Sequence, residues 1–195
     1  MSPIRISILL AAVAAGLTVT ATHAAQRRGA PTAPEAFTSA VQAKTSSAAS
    51  ATRLDIQIDR YTLESDRKTM TDALTFGGYS AFVQALRKAP AVGHVAIGGQ
   101  KFPLKWAREQ PTEKGRAISL VTDSPVYFIG GGQVDAKPRE GFQLAVVQLT
   151  VDESGLGTGS MAAAAKVKLD PQGSVVIEDY AEEPIKLTYV HRVIS

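Results

Sequence analysis

FQLAVVQLTVDESGLGTGSMAAAAKVKLD, residues 142–170, is the stretch of sequence that decides the fold. It contains two runs of strand-forming residues on either side of Asp152-Glu153-Ser154-Gly155. This sequence is typical of a tight turn, because its glycine readily takes a positive φ. Consecutive strands joined by so short a link must pair antiparallel. The stretch therefore predicts a long hairpin at the centre of an antiparallel sheet.

Both strands of this hairpin carry features that favour strong curvature. The apolar residues of the first strand change face halfway along it, from Phe142, Leu144 and Val146 to Val147, Leu149 and Val151. A β-bulge, which bends a strand, produces such a change of phase, and burial of both faces is the alternative. The second strand is rich in small residues, among them Gly157, Gly159 and 162–165, which permit close approach or sharp bending.

Strand patterns continue on both sides of the hairpin. Upstream, residues 53–59 (RLDIQID) alternate between apolar and polar side chains, and Phe37, Ser39 and Val41 suggest an earlier strand. Further candidate strands are Val92–Gly98, Phe102–Glu109, Gly115–Thr122, Val126–Ile129, Phe142–Asp152, Gly157–Leu169, Ser174–Tyr180 and Ile185–Val193. We therefore expect a mainly β (α+β) domain, an antiparallel up-and-down β-barrel or strongly curled sheet of about nine strands, with a two-sheet β-sandwich as the alternative.

Helical periodicity interrupts the early strands between Leu63 and Pro90. The apolar stripe comprises Leu63, Met70 and Leu74, followed by Tyr79, Phe82, Val83 and Leu86. Gly77-Gly78 separates the two halves, which predicts two short helices joined at the glycine pair. Because the second half has the spacing of an amphipathic helix, we expect it to pack against the sheet.

The N-terminal residues predict export. Arg5 precedes a short apolar run, Ile6–Val19, and small residues follow, so residues 1–24 have the organisation of a secretory signal peptide. We expect a flexible arm at residues 25–35 and a single β-rich domain at 36–195. The apolar run is shorter than the roughly 20 residues that a membrane helix needs. The prediction is a secreted or periplasmic protein without a membrane span after signal cleavage.

Composition and motifs exclude several classes of chemistry. The chain contains no cysteine, so disulfides, thiol catalysis and cysteine metal sites are ruled out. Lys and Arg number 21, or 20 once Arg5 is removed with the signal, against 18 Asp and Glu. This balance, without a basic stripe, disfavours nucleic-acid binding. No HExxH or GxSxG motif is present. No catalytic residue, metal ligand or cofactor is therefore assigned.

The candidate site lies inside the predicted barrel. Phe102, Leu104 and Trp106 form the strongest apolar face among the strands, and Tyr189 and His191 share the parity of the apolar residues in the last strand. If the sheet closes, both faces line one interior, which in a barrel of about eight strands is either packed or holds one small ligand. Residues of the irregular segment 123–141 are candidates for a lid, namely Tyr127, Phe128, Gly130, Gly131 and Gly132.

The order of the patterns FTSAVQA, RLDIQIDRYT, ALRKAPAVGHV, the hairpin at 142–170 and PIKLTYV resembles a family of uncharacterised secreted bacterial proteins of unknown function. The resemblance covers most of the chain after the signal, and it implies no functional residue because its motifs are strands and turns. The leading functional hypothesis is a non-enzymatic exported barrel that binds a small apolar ligand. An envelope or secreted partner-binding protein is the alternative, and an unrecognised hydrolase or isomerase is the second alternative.

Overall fold

A closed ring of eight antiparallel strands forms the body of the computed structural model, which describes residues 33–42, 52–127 and 140–193. Within these residues the elements are β1 (Glu35–Gln42), β2 (Thr52–Ile58), α1 (Glu64–Lys88), β3 (Gly93–Ile97), β4 (Gln100–Thr112), β5 (Gly115–Thr122), β6 (Leu144–Asp152), β7 (Leu156–Leu169), β8 (Val175–Tyr180) and β9 (Ile185–Val193). The sheet order is β6-β5-β4-β3-β2-β1-β9-β7-β8, and a further β6–β7 pairing closes it. The predicted barrel is confirmed, and the sandwich alternative is wrong.

The barrel interior is filled by side chains from every strand of the ring. The alternating pattern of β2 places Leu54, Ile56 and Ile58 inward, where all three are buried. They belong to one continuous apolar cluster with Phe37, Val41, Val92, Val95, Ile97, Leu104, Ala107, Ile118, Leu120, Val126, Ala145, Val147, Leu149, Val151, Met161, Leu187 and Val190. A ring of eight strands is wide enough for side chains of this size to meet at its centre.

The hairpin that decides the fold bends in its second strand. In β6 both faces are buried, Ala145 and Val147 towards the interior and Leu144 and Val146 towards the outside. The bulge lies on the partner strand, because Leu144 pairs with Ala165 while Val146 pairs with Ala162. The change of apolar face in β6 therefore reflects burial on two sides. The extra residue of the bulge lies in the small-residue segment 162–165 of β7.

A second layer covers the outer surface of β4, β5 and β6. Beyond its bend, β7 leaves the ring and pairs with β8, and this ribbon packs together with α1 over the barrel wall. The shared outer cluster comprises Met70, Phe82, Val83, Leu86, Trp106, Val121, Leu144, Val146, Ala162, Ala165, Val167 and Val175. Arg108 of β4 donates a hydrogen bond of 2.8 Å to the carbonyl oxygen of Gly173 in the β7–β8 turn, which fixes the far end of the ribbon to the wall.

The segment predicted to form two helices is one helix with a kink. Gly78 interrupts it with a φ of 71° and a ψ of −171°, at the glycine pair where the sequence placed the junction. Phe82 and Val83 are buried against the sheet, as predicted from the apolar stripe. The second half of the predicted pattern therefore stands, and the two predicted helical halves meet at the predicted glycine pair, where they follow each other without a loop as one kinked helix.

Several predicted segments lie partly or wholly outside the described residues. The signal peptide at 1–24 and residues 25–32 of the arm are among them, and so are residues 128 and 129 of the candidate strand Val126–Ile129. Its first two residues are described and do not lie in a strand. β1 begins at Glu35, one residue before the predicted domain boundary. No helix in the described part of the chain is long and apolar enough to span a membrane.

Phe82→Ala is expected to lower the free energy of unfolding by about 3–5 kcal/mol, because its ring is fully buried between α1 and the barrel wall. Phe76→Ala is the matched control on the same helix. Its ring is 85% exposed, so the change is expected to stay within about 0.5 kcal/mol. Urea unfolding followed by circular dichroism measures both. Similar losses in the two variants would contradict the packing of α1 described above.

Candidate functional site

The structure separates the residues that the sequence predicted to share one interior face. Phe102 and Leu104 face the barrel interior, but Trp106 lies in the outer cluster beneath α1. The cause is a bulge in β4, where Leu104 pairs with Thr122 and Trp106 with the adjacent Val121. One extra residue reverses the facing of every later side chain. The prediction that Trp106 lines the interior is therefore wrong.

Tyr189 and His191 also lie outside the barrel, and here too a bulge is responsible. Along β1, Thr38 pairs with His191 and Ala40 with Thr188, so β9 contains one residue more than its neighbour. The extra residue is accommodated at Tyr189, whose φ is 53°. The inward parity predicted for Tyr189 and His191 is therefore wrong.

These two side chains instead line a groove on the outer wall. The groove has a volume of about 540 Å³ and follows the pairing of β7 with β9. Its lining is mainly apolar and consists of Leu156, Gly157, Thr158, Thr188, Tyr189, Val190 and His191. Tyr189 on β9 is 81% exposed and Leu156 on β7 is 57% exposed. Two large side chains on paired strands are therefore open to solvent in this groove. Ligand pockets begin at about 300 Å³, so the volume suits a small molecule.

Two unusual backbone positions, Gly157 and Tyr189, lie in the groove. Gly157 faces Val190 across the strand pair, and a Cβ atom at Gly157 would lie 1.9 Å from the carbonyl oxygen of Thr150 on β6. Only glycine fits so close an approach of β7 to β6. Tyr189, by contrast, holds a left-handed conformation that is uncommon for a bulky residue and costs about 1–2 kcal/mol. Such strained residues cluster at functional sites.

His191 presents a defined hydrogen-bonding atom. Its Nδ1 lies 3.2 Å from the carbonyl oxygen of Tyr189. A carbonyl oxygen can only accept, so this contact is a hydrogen bond in the tautomer that carries the proton on Nδ1. In the neutral imidazole Nε2 is then the acceptor. The bulge thus orients an exposed imidazole that can receive a hydrogen bond from a ligand.

The candidate lid falls mostly beyond what the structure describes. Tyr127 is half-buried and has interaction partners. Phe128, Gly130, Gly131 and Gly132 lie outside the described residues. The lid therefore stays a prediction of the sequence.

A buried ionic cluster inside one end of the barrel was missed by the sequence reasoning. Arg116 of β5 donates two hydrogen bonds to Glu35 of β1, with lengths of 2.8 and 2.6 Å. Its Nη1 also lies 2.9 Å from an oxygen of Glu109 and 2.9 Å from the hydroxyl of Tyr61, and that hydroxyl donates to Glu35. β5 is four strands from β1 in both directions around the ring, so the cluster joins opposite walls.

Electrostatics keep the Tyr61 hydroxyl and the Arg116 guanidinium of the cluster protonated. Burial raises the pKa of Tyr61 well above its usual range, and the hydrogen bond to Glu35 raises it further. Burial has the opposite influence on the pKa of Arg116, but its hydrogen bonds to Glu35 and Glu109 outweigh burial and raise that pKa. The guanidinium also lies 5.6 Å from the centre of the Phe37 ring, within cation–π range.

The members of the cluster are hydrogen-bonded to one another, which indicates a structural role. The side chains of Arg116 and Glu35 are only 10% and 4% exposed. Two guanidinium nitrogens of Arg116 donate hydrogen bonds to the two carboxylate oxygens of Glu35. Within the described residues, no group of three or more His, Asp or Glu side chains is placed to bind a metal ion. The groove, whose polar atoms face solvent, is therefore the better candidate for binding.

Arg116→Ala is expected to lower the free energy of unfolding by about 3–5 kcal/mol, because it leaves Glu35 buried without its cation. Arg53→Ala is the matched control. Arg53 pairs with Asp55 at 2.7 Å but its side chain is 70% exposed, so its loss should cost less than about 1 kcal/mol. Denaturant unfolding of both variants decides the point, and a small loss for Arg116→Ala would show that the cluster does not hold the opposite walls together.

Stability should fall above about pH 10, because Tyr61 keeps its proton in the folded state and releases it at its ordinary pKa when unfolded. A raised folded-state pKa means that the contribution is complete below the unfolded pKa and is lost as the pH rises. Tyr61→Phe should be less sensitive to pH in this range, whereas Tyr180→Phe on β8 should behave like the wild type. Thermal unfolding between pH 8 and about pH 12 tests this, and identical profiles for wild type and Tyr61→Phe would contradict it.

Comparison with known proteins provides no relative from which a site could be transferred. No family model, no curated protein and no solved structure matches the chain. The groove and the ionic cluster therefore have to be judged by their own geometry. On that basis the outer groove of β7 and β9 is the candidate binding site.

Proposed function

We propose that the protein is an exported, non-enzymatic binding protein whose recognition site is the outer groove between β7 and β9. Its ligand is small and has an apolar face. The observation that carries this proposal is Tyr189, a large aromatic side chain that is 81% exposed and held in a left-handed backbone conformation at the groove. Export is supported by the charged start and apolar run of residues 1–24.

The packing of the barrel supports a site outside it. Leu104 and the other inward side chains from all eight strands form one continuous apolar cluster. Arg116 and its partners occupy the interior at the end where β1 begins. A ligand that entered the interior would have to displace packed side chains, whereas the outer groove is open.

The energetics of Tyr189 support recognition as its role. An exposed ring contributes little hydrophobic stabilisation, which is proportional to the apolar area removed from water. The backbone strain adds a cost of about 1–2 kcal/mol. A bound ligand that covers the ring would recover apolar burial at this position. Tyrosine is well suited to such contacts, because it offers a large rigid surface with a polar tip.

Binding is tested with N-phenyl-1-naphthylamine, a neutral apolar dye whose fluorescence increases when it leaves water. Wild-type protein should enhance the dye, and Tyr189→Asn should lose the enhancement. Asn accepts the left-handed region more readily than Tyr, so the variant should fold at least as stably. Tyr180→Asn on β8 removes another partly exposed ring outside the groove and should bind like the wild type.

Trp106 provides an internal control for the position of the dye. It lies on β4, four strands from β9 in both directions around the ring, so dye in the groove should lower its emission intensity by energy transfer but leave the wavelength of its emission maximum unchanged. Equal enhancement by wild type and Tyr189→Asn would overturn the proposal. A shift in the wavelength of the Trp106 emission maximum on binding would place the dye elsewhere and would overturn it as well.

A further inference from the structure

We infer that the natural ligand of the groove is a neutral sugar ring, presented as a free oligosaccharide or as part of a longer glycan. This inference rests on the proposed binding function and names its ligand class. It follows from three properties of the lining: the lack of charge, the single exposed aromatic ring, and the polar groups at the margin.

The lining contains hydroxyl groups and an imidazole but, among the described residues, no Lys, Arg, Asp or Glu. A charged ligand would find no counter-ion there, and burying its charge would be costly. A smaller groove of about 330 Å³ between α1 and β7 differs in this respect, because Lys166, Lys168 and Glu178 line it. The groove at Tyr189 is therefore the one suited to a neutral ligand.

An exposed aromatic ring beside an aliphatic side chain matches the faces of a pyranose. The axial C–H bonds of a sugar ring form an apolar face that stacks on an aromatic ring, while its hydroxyl groups point outward from the edge. Tyr189 supplies the ring and Leu156 a second apolar surface. An alkyl chain would gain less here, because hydrophobic stabilisation needs area removed from water and the groove is open along its length.

The polar groups of the lining suit the hydroxyl groups at the edge of a sugar ring. His191 offers Nε2 as an acceptor, because Nδ1 is engaged with the carbonyl oxygen of Tyr189 at 3.2 Å. Thr158 adds a hydroxyl group that can donate and accept, and Thr188 adds one that can accept, because its own proton is donated to the carbonyl oxygen of Ala40. Sugar hydroxyls can satisfy all of these partners at once, and a ligand without hydrogen-bond donors would leave the imidazole unused.

The test uses chemical-shift changes in amide NMR spectra of the whole mature protein, titrated with two neutral trisaccharides, N,N′,N″-triacetylchitotriose and cellotriose. Their charged counterparts are the controls, tri-galacturonic acid and the trimer of glucosamine. We expect at least one neutral trisaccharide to shift the amide signals of Gly157, Thr158 and Val190, and the charged trimers to bind more weakly. Tyr189→Phe should retain binding, Tyr189→Asn should abolish it, and His191→Phe should weaken it about tenfold, the effect of losing about one hydrogen bond.

The outcomes separate this inference from the proposed function. If N-phenyl-1-naphthylamine binds in a Tyr189-dependent manner and no neutral trisaccharide shifts the groove signals, the sugar inference is wrong and the binding function stands. Stronger binding of either charged trimer would also overturn the inference. If neither the dye nor any trisaccharide binds, both proposals fail. Trisaccharide shifts that persist in Tyr189→Asn would place the sugar outside the groove and overturn the inference.

Discussion

Closure of the sheet between the first and the last strand is the constraint on which the rest of the structure depends. β1 pairs with β2 on one side and with β9 on the other, so the ring exists only when residues near both ends of the described chain meet. Closure leaves the eight strands of the ring without a free edge and creates an interior wide enough for one set of large side chains. The ionic cluster strengthens this closure, because Glu35 begins β1 and is bound by Arg116 from the opposite wall.

The extra residues at bulges in the ring determine where the candidate site lies. Bulges in β4, β7 and β9 each add one residue to a strand, and each sends a side chain out of the interior or bends the strand away from the ring. In β4 the outward residue is Trp106, which the second layer covers completely. In β9 it is Tyr189, which stays exposed. The same local device therefore produces a core residue on one side of the barrel and a candidate recognition residue on the other, and the difference lies in whether α1 packs above it.

Sequence patterns predicted the strands well because strand periodicity reports burial directly. The bounds of β5 and β9 were predicted to the residue, and the turn at Asp152–Gly155 and the kink at Gly78 follow from glycine chemistry. The direction in which side chains face was predicted less well. A period of two assumes a regular strand, and no residue in 104–106 or 187–191 indicates that a bulge is present there. Arg116 could have been found, because it shares the parity of the buried Ile118 and Leu120. Its partner Glu35 could not, because it is the last residue of the proline-containing segment 25–35, which was predicted to be a flexible arm.

The ionic cluster and Tyr189 both carry an energetic cost, but they differ in whether other interactions within the folded protein offset that cost. In the ionic cluster, burying Arg116 and Glu35 costs solvation, and the bidentate geometry of their hydrogen bonds offsets that cost within the folded protein. At Tyr189 the side chain is 81% exposed, so burial of its own ring does not offset the strain. Asn or Gly would hold the same backbone conformation more easily. Stability alone therefore explains Arg116 but not Tyr189, and this difference is the reason that we propose recognition as the role of Tyr189.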